Sequence, residues 1–345
     1  HSTSRRQRQM CIRDRSDIIF KIKGGKDMDL TYAVLGSGAM GLRFGLLLKE
    51  HLGAQVDFID TWEEQIDTIR KQGGVYQSRD GKNRHLIPIS IKTPEEYQGK
   101  PDVFIIFDKQ MHLSQLLERS MHFFHENQYV FTGMNGMGHI EKINRYFAPE
   151  KVLAGTCLIG TVLKDAGNVD FIGKAGAGSI NIAAQSGTID DVQKQIVTEF
   201  EASNLNPNLT DNFLGTLYTK VVFNSVINTI CTLFEIRMGQ FIDYEGAEKL
   251  GRQLIDEAYN VAELAGITPL NSRDEEWETI RYVSAETSPL HYPSMYQDMN
   301  KGRQTEVDYI NGYIYDLGRT YDYQAKTHDF LRHLVHLAEN TRKFR

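Results

Sequence analysis

The chain has 345 residues, 41% of them hydrophobic and 24% charged, with a net charge of −6. That is the length of about two domains and the composition of a globular protein, not of a disordered, collagen-like or disulfide-scaffold chain. Its apolar stretches are broken by Lys, Asn, Asp or Gly before they reach the roughly 18 residues of a membrane span, and its three cysteines, Cys11, Cys157 and Cys231, form no CxxC pair, which fits a reducing, cytoplasmic compartment.

Residues 1–27 hold eight Lys/Arg against three Asp, a leader of +5 that leaves −11 for residues 28–345. An acidic body has the wrong sign for binding phosphate backbones, so neither nucleic acid nor membrane is an expected partner. The leader lacks an apolar h-region and precedes Met28. It reads as an expression or reading-frame scar, with an organellar transit peptide as the alternative, and stands outside the fold.

From Leu30 the pattern becomes a short apolar strand, Tyr32-Ala33-Val34-Leu35, then Gly36-Ser37-Gly38-Ala39-Met40-Gly41, then an apolar-periodic run through Phe44, Leu46, Leu47 and Leu48. This predicts strand, tight turn, helix. A second strand over 55–60 closes a βαβ unit, with Asp60 lying 19 residues beyond Gly41. Gly36 suits the turn, Gly38 a close approach of backbone to pyrophosphate, and Gly41 close helix packing, while an acid at that distance meets a ribose hydroxyl. The context makes dinucleotide binding the reading, against a turn that serves packing alone. Further strands are expected at 103–107, 129–131 and 152–155, and strands alternating with helices imply a largely parallel, doubly wound sheet.

Lys109 and Gln110 follow the third of these strands, at the edge where doubly wound sheets bind ligands. Lys109 is a candidate for cofactor phosphates or ribose, or else a solvated loop lysine. Asn135 lies in Gly133-Met134-Asn135-Gly136-Met137-Gly138, where glycines permit close approach and a plain turn asparagine is the alternative.

After about residue 206 helical periodicity takes over, over 217–236, 244–266, 273–285, 292–318 and 324–341, with Asn204-Leu205-Asn206-Pro207-Asn208 as the boundary. The expected domains are 28–206 and 207–345. Lys220, Asn224 and Asn228 recur at i, i+4 and i+8, on one stripe of a helix whose other positions are mostly apolar. Burying such groups unpaired is costly, so the stripe faces polar ligands or a wet cleft, or else a snorkelling lysine and two asparagines pair with neighbouring helices. Residues 294–312, SMYQDMNKGRQTEVDYING, carry Ser294 and Glu306 with Asp298, Thr305, Asp308 and Asn311, which in isolation is an amphipathic helix with a solvated face.

The glycine turn, the NGMG segment, the Lys/Asn/Asn stripe and the SM…QD…TE.DYING segment together resemble the ketopantoate reductase family, the 2-dehydropantoate 2-reductases of pantothenate biosynthesis, in order from about Leu30 to about residue 340. The resemblance implies an α/β Rossmann-type doubly wound domain, then an all-α domain of the 6-phosphogluconate dehydrogenase C-terminal type, with the active site in the cleft between them and a homodimer as the expected assembly. It implies Lys220 as the proton donor to a ketone oxygen and Glu306 as a glutamate that helps hold substrate and supports proton transfer. Asn135, Asn224, Asn228 and Ser294 correspond to positions that orient the lysine or bind substrate. Lys109 corresponds to a cofactor-contacting lysine, and Asn135 joins it and the glycine turn in holding a nicotinamide cofactor. No metal is required; the pairs His122/His125 and His333/His336 each lack a third ligand and read as surface residues.

Two departures matter. NADPH is the family default, with an Arg just after the second strand, whereas this chain reads Asp60-Thr61-Trp62-Glu63-Glu64, so NADH is favoured. His291-Tyr292-Pro293 precedes Ser294 where small polar residues are usual. Both resemble the branch of NADH-dependent D-2-hydroxyacid dehydrogenases on branched or aromatic 2-keto acids. A rival of another class, a catalytically silent nucleotide sensor, has no need of a general acid beside Asn224, Asn228, Ser294 and Glu306.

Overall fold

The run Tyr32–Leu35 forms β1, buried at all four positions, as a strand covered on both faces requires. The computed structural model describes residues 30–342 apart from 54 and 177, so the leader lies outside the described residues. After the glycine turn come α1 (Ala39–Leu52), β2 (Val56–Ile59), α2 (Glu63–Gln72), β3 (Val75–Arg79), β4 (Lys82–Ile87) and β5 (Ile91–Lys92). Next are β6 (Val103–Ile106), α3 (Leu113–Ser120), β7 (Tyr129–Thr132), α4 (His139–Ile143) and β8 (Val152–Cys157). The first half closes with β9 (Thr161–Asp165), β10 (Asn168–Phe171), β11 (Ile180–Ala184), α5 (Asp191–Ala202) and β12 (Pro207–Leu209).

Eight strands form one sheet in the order β12-β11-β8-β7-β6-β1-β2-β5. It is parallel throughout except where β11 runs against β8. Leu35 is level with Ile59 on one side and Ile106 on the other, so the carboxyl ends of β1, β2 and β6 finish together. The chain reverses its direction of winding at β1, and this switch point gathers Gly36, Asp60 and Asp108 at one edge. Beneath it Phe44, Phe107, Phe131 and Phe200 pack with ring centroids 4.9 to 6.2 Å apart.

A second sheet, β4-β3-β10-β9, has no counterpart among the expected strands. Its hairpin turn uses Asp80 and Gly81, both at positive φ, the Asp-Gly signal of a tight hairpin. It is pinned to α1 by Arg43, whose guanidinium donates to the Gly160 carbonyl at 2.9 Å and lies 4.6 Å from the Phe171 ring.

The second half is helical: α6 (Phe213–Phe234), α7 (Met238–Ile242), α8 (Ala247–Leu264), α9 (Arg273–Tyr282), a π-turn over Val283–Thr287, α10 (Ser294–Asn300), α11 (Asn311–Arg319) and α12 (Lys326–Arg342). It begins at Phe213, since β12, just past the expected boundary, pairs with β11 in the large sheet. The single helix expected over 292–318 is broken. Gly302 at φ +67 ends α10, as a left-handed glycine does, and Ile310 at φ −116, ψ −87 separates the 3₁₀ turn Val307–Tyr309 from α11. Among the described residues α6 alone is long and apolar enough to cross a membrane by length and composition, and 72% of that window is buried inside the protein. It packs on β8 and β11 from one side and on α8, α9, α10 and α12 from the other. Thr31 onward forms one compact unit.

Candidate active site

The glycine turn is shaped by three different constraints. Gly36 has φ +90, and a Cβ there meets the Phe107 carbonyl oxygen at 2.0 Å. A Cβ on Gly41 meets the Gly36 carbonyl oxygen at 2.0 Å, whereas one on Gly38 meets nothing within 4 Å. Gly38 therefore fronts open space, and it caps α1 without any side-chain bond, leaving the first N–H groups, those of Ala39 and Met40 among them, for an anion. Open approach, free donors and the positive end of a helix dipole fit a dinucleotide's pyrophosphate.

Asp60 does more than the sequence implies. Its Oδ2 accepts the Ser37 amide at 2.6 Å, and its Oδ1 accepts the amides of Thr61 and Trp62 at 2.7 and 2.9 Å. Burial pushes this carboxyl upward against the three donors. A carboxylate accepts about four hydrogen bonds, so Asp60 clamps the turn to the end of β2 and retains room for one hydroxyl. Thr61 is half-buried and Glu63 and Glu64 are exposed at the start of α2.

At the end of β6, Lys109 reaches into the helical half. Its ammonium lies 2.5 Å from Asp298 Oδ2 and 3.4 Å from Glu306 Oε2, with its side chain 34% exposed. Burial pushes the ammonium down, but Glu306 and Asp298 outweigh it and hold the pKa above its ordinary value. The Gln110 amide donates to Glu306 Oε1 at 3.1 Å, and Gln110 Nε2 donates to the Asn135 carbonyl at 2.8 Å. Arg303 holds the other oxygen of Asp298 at 2.7 and 3.0 Å. Lys109, expected as a cofactor contact, is seen here as a tie between the halves. Asp298 stood in the sequence only as one polar residue among several; its pairing with Lys109, 189 residues away, carries no local signal. Asp108 was missed altogether: burial pushes its carboxyl up to about 6, and its Oδ2 is buried without a partner.

Asn135 is half-buried in a loop fastened to the DYING segment. Gly136 has φ +77, and the Met137 amide donates to the Tyr309 carbonyl at 2.9 Å. Gly133 abuts Cys157, whose Sγ lies 2.6 Å from where a Cβ would stand.

Cys157 leads to the polar stripe. Lys220, Asn224 and Asn228 all lie on α6. Asn224 is 3% exposed and its Nδ2 has no partner; Asn228 is buried and Lys220 half-buried. Burial pushes the Lys220 ammonium below its ordinary pKa, opposed by Cys157 and Glu276. Burial also pushes the Cys157 thiol up to about 12, so it stays a neutral thiol. The His291 imidazole is displaced downward by burial and by the charge of the same lysine. Ser294 is half-buried at the first turn of α10. Asn311 is structural, since it donates to the Ser225 carbonyl at 3.1 Å and accepts from Thr229 Oγ1 at 2.6 Å, tying α11 to α6. The structure thus joins Lys109, Glu306 and Asp298 directly, and Asn135 to them through Gln110. Among the described residues no hydrogen bond or ion pair joins Lys220 to that group. Of the histidine pairs, His336 is not a free surface residue, because its ring bonds Asp308 and Glu339 at 3.0 and 2.9 Å.

Fold and glycine turn define a protein of the dinucleotide-binding class, an α/β sheet half followed by a helical half that carries a lysine and two asparagines on one helix. The chain belongs to the ketopantoate reductase family: the ketopantoate reductase PanE/ApbA model matches residues 32–187 and its C-terminal counterpart residues 212–339. It is 29% identical over 313 residues to a 2-dehydropantoate 2-reductase of Lactococcus lactis subsp. lactis, covering 90% of this chain and 98% of that one. Among solved structures it is similar to D-mandelate dehydrogenase with NADH and anilino(oxo)acetate, with TM-score 0.85, 29% identity and coverage of 90% and 99%. A putative 2-dehydropantoate 2-reductase from Enterococcus faecalis gives TM-score 0.66, 30% identity and coverage of 90% and 98%.

Proposed function

We propose that this chain reduces a 2-keto acid to the 2-hydroxy acid with a nicotinamide cofactor, ketopantoate to pantoate being the first substrate to test. The observation that carries the reading is a half-buried lysine on a buried, mostly apolar helix, one turn from an asparagine amide with no protein partner. Gly36 to Gly41, Asp60, Lys109 and Asn135 would hold the cofactor, which would supply the hydride when bound. The chain's own residues do the rest. Lys220 donates a proton to the ketone oxygen as the carbonyl carbon becomes tetrahedral, and desolvation tunes it for this by bringing its pKa down toward the working pH. Asn224, Asn228 and Ser294 hydrogen-bond the substrate's carboxylate and oxygen, and Glu306, fixed by the Gln110 amide, helps hold the substrate and supports the proton transfer.

A second substrate class, branched or aromatic 2-keto acids, is favoured by a specific feature. Tyr292 and Tyr296, which flank Ser294 in the chain, stack at 4.4 Å, an aromatic pair suited to a larger side chain. The likeness to D-mandelate dehydrogenase supports it. For the cofactor we propose NADH, since the acids after β2 repel a 2′-phosphate. The same reading carries a homodimer, which light scattering tests. The deciding experiment is a panel of ketopantoate, 2-ketoisocaproate and phenylpyruvate, with NADH oxidation followed by absorbance. Turnover with one or more establishes the reductase and ranks the two classes; tight NADH binding with no turnover on any 2-keto acid favours the silent sensor instead.

A further inference from the structure

Glu276 is a buried group near Lys220 that the reaction above does not use. It lies on α9 at 0% exposure, yet its Oε1 has no hydrogen-bond partner, and its Oε2 is held by a single donor, Asn271 Nδ2, at 2.8 Å. A buried carboxylate oxygen left bare is costly, and such a group calls for a charge nearby.

The geometry brings that charge. Helix α9 packs on α6. The segment before α9 is fastened to the turn that carries Lys220, because the Leu270 amide donates to Thr219 Oγ1 at 2.8 Å. The next residue, Asn271, holds Glu276. Glu276 therefore lies on a helix that packs on α6 and is anchored beside the turn that carries Lys220. The electrostatics are reciprocal: burial pushes the Glu276 carboxyl up to about 7 and Lys220 opposes that rise, while burial pushes the Lys220 ammonium down and Cys157 and Glu276 oppose that fall. The groups facing Lys220 are Cys157 of β8, Glu276 of α9 and His291 before α10. Cys157 is neutral below about pH 12, and a charged His291 repels the lysine. Facing Glu276 are Lys220, Asn271 and Tyr259 of α8, whose hydroxyl is pushed up by burial and by Glu276.

We propose that Glu276 is a positioning residue, the buried counter-ion that keeps the Lys220 ammonium charged. This rests on Lys220 being the proton donor. In that step an N–H bond of Lys220 breaks, an O–H bond forms on the substrate oxygen, and Glu276 stays a carboxylate throughout. Above about pH 7 Glu276 is ionised, which is the range in which the lysine is at risk of losing its proton.

The test is the pH profile of single-turnover reduction at saturating NADH for the wild type, Glu276→Gln, Glu276→Asp and Lys220→Ala, with melting temperature and NADH affinity by fluorescence measured alongside. Reduction needs protonated Lys220, so the rate falls as pH rises through its pKa. Removing the negative charge lowers that pKa, and the basic limb of Glu276→Gln moves to lower pH by about one unit or more. Glu276→Asp, which keeps the charge but withdraws it by one methylene, falls between the two, and NADH affinity holds within about twofold. A folded Glu276→Gln whose limb coincides with the wild type overturns the proposal. If Glu276→Gln does not fold, Glu276→Asp decides, and a wild-type limb there overturns it. Lys220→Ala separates the two readings: normal turnover there sinks the proton-donor assignment and this inference together, whereas an inactive Lys220→Ala beside an unshifted Glu276→Gln sinks only the inference.

Discussion

Lys220 is half-buried and desolvation lowers its pKa, which suits the proton donor proposed above. Lys220→Ala is expected to lower kcat by roughly 100- to 10,000-fold, the usual cost of losing a positioned general acid, with NADH affinity nearly unchanged. Turnover measured beside a fluorescence titration checks both halves, and near-normal kcat assigns the donor elsewhere. This residue was legible in the sequence because three polar groups at helical spacing on an apolar helix conflict with burial. Glu306 was legible only by resemblance. Asp108, Asp298 and Glu276 were illegible as site residues, since a carboxylate's partner or its orphaned oxygen is decided by residues far along the chain, as with the 197 that separate Lys109 from Glu306.

Among the elements, the strands around the glycine turn were legible because buried parallel strands read as short apolar runs. The small sheet was not: β4, Lys-Asn-Arg-His-Leu-Ile, is exposed over five of its six residues and shows no apolar alternation, although Asp80-Gly81 marked its turn. The break at Gly302 was hidden by apolar spacing that continues across it. Two glycines separate packing from ligand room. Gly136→Ala places a Cβ 2.7 Å from the Tyr309 carbonyl oxygen at φ +77, and is expected to destabilise the fold by about 1 to 3 kcal/mol, read as a lower midpoint in urea. Gly38→Ala has open space before it, so the midpoint stays put while NADH affinity falls at least about tenfold as the methyl enters the pyrophosphate's place. If instead Gly38→Ala binds NADH normally, the turn does not cradle a pyrophosphate. Cofactor choice belongs to the same element. Because Asp60 already holds three backbone amides, replacing it damages the turn, and the clean variant is Thr61→Arg. An arginine there gives a 2′-phosphate a partner and is expected to raise the NADPH-to-NADH ratio of kcat/KM by roughly tenfold or more. A wild-type preference for NADPH sinks the NADH assignment outright.

At the scale of the molecule, the two halves meet through long-range pairs that periodicity does not encode: Lys109 with Asp298 and Glu306, and Met137 with Tyr309. The DYING segment is in turn braced from behind by α12, where Glu339 accepts the Thr305 amide at 2.7 Å and Asp308 pairs with Arg332 and His336. This cluster ties stability to pH. Burial pushes the His336 imidazole down, but hydrogen bonds and charges from Asp308 and Glu339 outweigh it, and its pKa is raised. A group with a raised folded pKa stabilises fully below its unfolded value of about 6.5 and loses that contribution as pH rises through the folded pKa. For Asp308, burial is outweighed by His336 and Arg332 and the pKa is lowered, so its share is lost only when pH falls below the ordinary carboxylate range. The brace is therefore strongest between those limits, near pH 5 to 6. With His336 side chain 30% exposed, solvent screening holds its worth to about 0.5 to 1 kcal/mol. His336→Gln is expected to lower the melting temperature by roughly 1 to 3 °C at pH 5.5, and by progressively less as pH rises through the raised pKa of the wild-type imidazole. Melting both proteins across that range decides the matter: a deficit that stays constant with pH means that His336 braces the segment by packing alone, without its charge.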